Sequence, residues 1–239
     1  MKLTKFIMLS LLGLVLLPVM TPVAKALPML AIDLQPIQVC DDAGANCANT
    51  PLELFEAEGD KMWAQADIDL NFLPWITIDE SDQLNETSFA DLTANASPNI
   101  VNAWFISSLS ECGGPQNPLT LFGCGGGNRM AVTDLVFSFN GGIGRLDTIA
   151  HEIGHVLGLG HNDFGAGGAN NLMTSGGSRT VPSTINDIAP DGAGLDLLTQ
   201  AQIDEARSKN ILYRVVPEPA SVALLGLGLL CMTCVRRKK

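Results

Sequence analysis

Positive charge, histidine and tyrosine are scarce in this chain, which has 14 lysines and arginines, three histidines and one tyrosine in 239 residues. The shortage of positive charge is most severe in the body. Residues 27–217 carry 7 Lys and Arg against 24 Asp and Glu, a net of 7 − 24 = −17. So acidic a body argues against nucleic acid and against anionic membrane surfaces as partners. Nucleotide cradles are missing as well. Glycines cluster at 125–127 and 141–144, but no GxxxxGK[ST] motif or dinucleotide fingerprint accompanies them, so they read as tight turns.

The longest apolar runs lie near the two ends. Lys2 and Lys5 precede a run from Phe6 to Met20, and Ala24-Lys25-Ala26 supplies a small-x-small cleavage pattern. Residues 1–26 therefore read as a secretory signal peptide. At the other end, Val216-Pro217-Glu218-Pro219-Ala220-Ser221 is followed by an apolar run to Val235 and then Arg236-Arg237-Lys238-Lys239. That run is slightly short of the roughly 20 residues that span a bilayer. The basic cluster would hold its end on the cytoplasmic side. The membrane is thus expected to be met only through this tail, residues 216–239.

Residues 27–215 remain as one domain, long enough to bury a core. Four of the six cysteines, Cys40, Cys47, Cys112 and Cys124, fall in it. An even number in an oxidising compartment points to disulfides. Three pairings are open, and the local one, Cys40–Cys47 with Cys112–Cys124, is favoured because it closes two short loops.

Hydrophobic periodicity outlines the domain. Alternation from Ala31 to Val39 predicts a strand broken by Pro36, and residues 51–66 have helical spacing. Ile68, Leu70 and Phe72 alternate with polar residues as a second strand. Residues 76–98 read as a polar surface excursion. Further strands are predicted over 100–109, around 119–122 and over 131–139. A helix beginning near Gly144 buries Leu146, Ile149, Ile153 and Val156. Thr199-Gln200-Ala201-Gln202 is a capping box, predicting a last helix from Gln200 to Lys209. Tyr213 is expected to pack against that helix.

All three histidines occur in one stretch, His151-Glu152-Ile153-Gly154-His155-Val156-Leu157-Gly158-Leu159-Gly160-His161. One helical turn separates His151 from His155, so both imidazoles project from one face toward a single ion. A continuing helix would carry His161 roughly 9 Å further up the axis. The chain must break and return, and Gly158 is the residue type that accepts the positive φ this needs. Three imidazoles suit Zn²⁺ and leave a fourth position for water, the arrangement of a catalytic site. Glu152, beside the first ligand, is placed to take a proton from that water.

This stretch resembles the HExxHxxGxxH pattern of the metzincin zinc metalloproteases, and Asn171-Leu172-Met173 looks like the family's Met-turn. The resemblance implies an α+β catalytic domain with a twisted mixed sheet and active-site helix above. A loop-rich lower part would hold the Met-turn and a C-terminal helix. It implies Met173 as an apolar floor beneath the metal, and a protein or peptide substrate pairing with an edge strand, best placed at 118–124. Residues 176–197 would wall the pocket for the substrate side chain after the cleaved bond, with no charged anchor to fix a preference. Some members add a tyrosine ligand two residues after the methionine; Ser175 stands there, so a site of three histidines plus water is expected. A latent form with Cys40 on the zinc is a less favoured alternative to its disulfide. The Asp/Asn/Gly content of 162–171 is compatible with a structural Ca²⁺. Matrixin-like and pappalysin-like groups fit equally. The tail resembles the PEP-CTERM sorting signal, which implies processing by an exosortase-type enzyme and export to the envelope or extracellular matrix of a Gram-negative bacterium. Two other functions compete with a secreted endopeptidase: a catalytically silent zinc-binding matrix or surface component, and an envelope amide hydrolase.

Overall fold

The computed structural model describes residues 30–50 and 54–215, so both the expected signal peptide and the 216–239 tail lie outside the described residues. The domain is a mixed α+β structure built on a mostly parallel sheet with few helices. In chain order its elements are β1 (Leu30–Cys40), α1 (Glu56–Trp63), β2 (Ile68–Phe72), β3 (Ile76–Asp79), α2 (Ser81–Leu84) and β4 (Asn85–Ser88). There follow β5 (Val101–Ile106), β6 (Ser108–Glu111), β7 (Gly123–Gly126), β8 (Arg129–Thr133), α3 (Leu135–Gly142), α4 (Thr148–Val156), α5 (Gln200–Arg207) and β9 (Tyr213–Arg214). Among the described residues no helix is long and apolar enough to cross a membrane.

The main sheet runs β2-β1-β5-β8-β7, with β3 and β9 also on β1. Only β7 and β9 are antiparallel to their neighbours. β1 is the hub. It pairs with β2 over its first half, β3 over its second and β5 on its other side. Contrary to the expected break, β1 runs unbroken through Pro36. β2 ends its register at Leu34 and β3 begins at Ile37, so the missing N–H falls in an interval with no ladder partner from either strand.

β5 is buried at every position, as a strand covered on both faces must be. Its one polar side chain, Asn102, bonds Ser97 and the Asn128 carbonyl. α4 lies across β7 and β8. α1 packs against it, and the Trp63 indole donates to the Ala150 carbonyl at 3.1 Å.

Several elements differ from the periodicity. Residues 76–98 are not a plain excursion: β3 joins β1, and β4 pairs β6 in a separate two-stranded sheet. The 100–109 run divides at Ser107, whose N–H bonds Leu84. The strand over 131–139 ends at Thr133 and becomes α3, because a short apolar run fits either period and burial here selects Val136. No strand forms at 119–122; the edge strand is β7. The last helix ends at Arg207. Tyr213 does not reach it but pairs with Ala31 and donates to Asp33 at 2.8 Å.

Disulfides join Cys40 to Cys47 and Cys112 to Cys124, so Cys40 is engaged away from the histidines. The second one ties β7 to the segment after β6.

Candidate metal centre

α4 delivers the first two histidines. It begins at Thr148, not near Gly144, because Gly144 holds φ +93° and Asp147 spends its carboxylate on arginines instead of capping the helix. The helix ends where Gly158 takes φ +79°. The N–H groups of Gly158 and Leu159 turn back onto the His155 and Gly154 carbonyls. That reversal returns His161 to the helix face. Its Nε2 stands 3.1 Å from Nε2 of His151 and 3.1 Å from Nε2 of His155. Among the described residues this triad is a group able to hold a metal ion, its ligand atoms all within 4.8 Å of one another.

Backbone carbonyls set the ring tautomers. His151 Nδ1 lies 2.6 Å from the Leu172 carbonyl, and His155 Nδ1 lies 2.7 Å from the Leu159 carbonyl. A carbonyl only accepts, so His155 carries its proton on Nδ1, and the Leu172 carbonyl favours the same tautomer for His151, whose Nδ1 also meets Arg179 Nη1. Both then turn the Nε2 lone pair toward His161. Burial holds all three imidazoles below the ordinary histidine value, His151 well below, aided by the Arg179 guanidinium. Neutral lone pairs facing one another at 3.1 Å are an arrangement that a cation satisfies. The spacing is close to the roughly 3.3 Å edge of a tetrahedron with metal–nitrogen bonds of about 2.0–2.1 Å. The donor set therefore fits a divalent ion.

Glu152 is 6% exposed and opens into the same cleft as the three histidines. Burial pushes its carboxyl up to about 8, opposed by Arg179 and Arg145. The edge strand comes unusually close to it. A Cβ on Gly123 would lie 2.9 Å from Glu152 Oε1, and one on Gly125 would lie 2.3 Å from the Glu152 carbonyl. Gly125 and Gly126 are thus strand residues, not turn residues. Only Gly127, at φ +63°, turns. Two glycines at period two on one strand face were the signal available in the sequence for this approach.

Met173 packs beneath α4. A Cβ on Gly154 would lie 2.2 Å from Met173 Sδ, so the glycine between the two helical histidines admits the thioether. Met173 N–H donates to Asn171 Oδ1 at 3.0 Å, and Asn171 is locked to Gln202 of α5 by paired amide bonds. Ser175 lines the cleft. Asp163, in the loop with calcium-compatible composition, accepts from Gly160 N–H at 2.8 Å.

A buried charge network that sequence reasoning missed supports this turn. Arg179, expected only as part of a pocket wall with no charged anchor to fix a preference, places Nε 2.7 Å from Asp147 Oδ2. Its Nη1 donates to the carbonyls of Leu172 at 2.7 Å and Thr174 at 2.9 Å, and touches His151 Nδ1. Arg145 shares the other oxygen of Asp147 at 3.3 Å. Asp196 stands 4.0 Å from Arg179 Nε, and its carboxyl is pushed up by burial and by Asp147. The clue was thin. Arg145 and Arg179 are two of only 7 basic residues in the body, one just before the histidine motif and one just after Met173.

The cleft has a volume of about 350 Å³ and opens beside Glu152, with Arg145, Thr148, Leu121, Phe122 and Gly176 around it. Comparison with known proteins adds one finding, in the tail. Residues 215–238 match the PEP-CTERM protein-sorting motif. Such signals mark proteins exported to the cell envelope of Gram-negative bacteria and are recognised by an exosortase. No curated protein matches the chain.

Proposed function

We propose that the exported domain is a zinc-dependent endopeptidase of the metzincin type. One observation carries this reading: three Nε2 atoms converge at the mouth of a cleft that also holds the Glu152 carboxyl. His151, His155 and His161 would hold the ion. Bound zinc supplies Lewis acidity, which lowers the pKa of water and polarises a carbonyl oxygen.

The chain's own groups do the rest. Glu152, in the ionised form that a neighbouring bound cation would favour, takes a proton from the attacking water and passes it to the leaving amine. Its burial excludes bulk water from that transfer and strengthens its interaction with the charge developing nearby. β7, the antiparallel edge strand beside Glu152, presents an open ladder to an extended peptide. The Leu172 and Leu159 carbonyls keep the first two imidazoles in register while the substrate binds.

The test is a casein or gelatin cleavage assay on purified 27–217 with and without a zinc chelator, beside Glu152→Ala. Expected are cleavage by the zinc-loaded protein, loss with chelator and return with added zinc. Glu152→Ala should retain stoichiometric metal and lose about 10²- to 10⁴-fold in rate. A folded protein with stoichiometric zinc that cleaves nothing would transfer the reading to a silent zinc-binding envelope component.

A further inference from the structure

We propose that the cleft beside the three histidines accepts an acidic side chain of the substrate, with Arg145 selecting it. This rests on the endopeptidase reading above. The Arg145 side chain is 6% exposed. Its Nε is spent on Asp147 at 3.3 Å and its Nη2 on the Gly176 carbonyl at 3.1 Å. A guanidinium carries five N–H donors, and among the described residues no acceptor meets those on Nη1.

A buried hydroxyl lies at the same wall. Thr148 Oγ1, in the first turn of α4, is buried without a hydrogen-bond partner, and Thr148 lines the cleft with Arg145. The hydroxyl is buried without a partner, and the guanidinium keeps its Nη1 donors free at the wall of the cleft for a group that enters it. A carboxylate entering the cleft can accept from Arg145 Nη1 in a charge-assisted hydrogen bond.

The surroundings hold the guanidinium in place for this role. It packs over the Phe122 ring, 4.6 Å from the centroid, and 5.7 Å from that of Phe139. Gly176 leaves the opposite wall open: a Cβ there would lie 3.1 Å from Arg145 Nη2. Among the described residues, the one carboxylate bonded directly to Arg145 is that of Asp147, which it shares with Arg179, one oxygen to each, while Asp196 stands with Arg179 at 4.0 Å. The body's net negative charge does not oppose this selection at short range, because exposed charges are screened beyond about 8–10 Å at physiological salt.

The probe is a pair of peptide hydroxamates that differ only in the side chain following the hydroxamate, Glu in one and Gln in the other. Their binding to the zinc-loaded full chain is measured by competition, alongside mass-spectrometric mapping of cut sites in a peptide library. The Glu compound should bind about 10- to 100-fold more tightly, the range of a charge-assisted hydrogen bond, and Asp or Glu should dominate immediately after the cut. In Arg145→Met the Glu and Gln compounds should bind within about twofold of each other. Should that variant fail to melt cooperatively, Arg145→Lys decides: its shorter, non-forked head should cut the preference several-fold, and an unchanged preference would overturn the assignment. Equal binding of the pair by the wild type, with peptide cleavage intact, overturns the acidic-pocket proposal alone. Failure to bind zinc or to cleave any peptide overturns the endopeptidase reading and this proposal with it.

Discussion

Glu152 is held in a state its unfolded counterpart does not share. Burial raises its carboxyl from 4.5 to about 8, so between those values the folded, metal-free protein keeps a proton that the unfolded chain releases. The stability tied to that proton is fully present below about 4.5 and is lost as the pH rises through about 8. The three histidines act in the opposite sense. Their folded values are depressed, so they cost stability as the pH falls below the ordinary histidine value. Comparing wild type with Glu152→Gln at each pH cancels the histidines. We expect the metal-free variant to melt at a higher temperature than metal-free wild type at pH 8, with the gap closing by pH 5. A gap that stays constant in thermal melts across that range would remove burial as the cause.

At the scale of elements, the buried charges join α4 to the turn around Met173. Arg179 ties Asp147, at the start of the helix, to the carbonyls of Leu172 and Thr174, and the Leu172 carbonyl also orients His151. Arg179→Leu strands Asp147 and Asp196 without this partner, and breaking a buried pair costs about 3–5 kcal/mol. Chemical denaturation should show that loss. Zinc affinity should fall by about 10- to 100-fold in whatever fraction folds, since the carbonyl that orients His151 is freed. These links explain what was readable beforehand. β1, β2 and the helix at Gln200 were legible because their periodicity and capping are local properties of consecutive residues. The histidines were legible because four- and six-residue spacings on a helix and its return are local too. Arg145, Arg179 and Asp196 were not, because the need for them arises only when segments far apart in sequence are packed into one buried network. β7 escaped for a related reason. Its Gly-Cys-Gly-Gly sequence has poor strand propensity, and it forms a strand because α4 requires a neighbour without side chains.

For the whole molecule, the acidic body and the arginines of the cleft act at different ranges. The net of −17 over 27–217 acts on approaching proteins across several ångströms of solvent, where salt weakens it. Under the proposed activity, kcat/KM for a protein substrate of net positive charge should drop as ionic strength is raised from about 0.01 to 0.15 M. A short neutral peptide should show little change. Equal salt dependence for both, in initial-rate assays, would dissociate the field of the body from substrate capture. The domain also meets its two ends at one place, because β9 aligns Arg214 with Leu30. Only two register pairs hold β9 to β1. β1 itself is held by β2, β3 and β5 as well. Where the chain leaves the described domain it is therefore held to the sheet by a two-residue strand on β1, the shortest strand among the described residues.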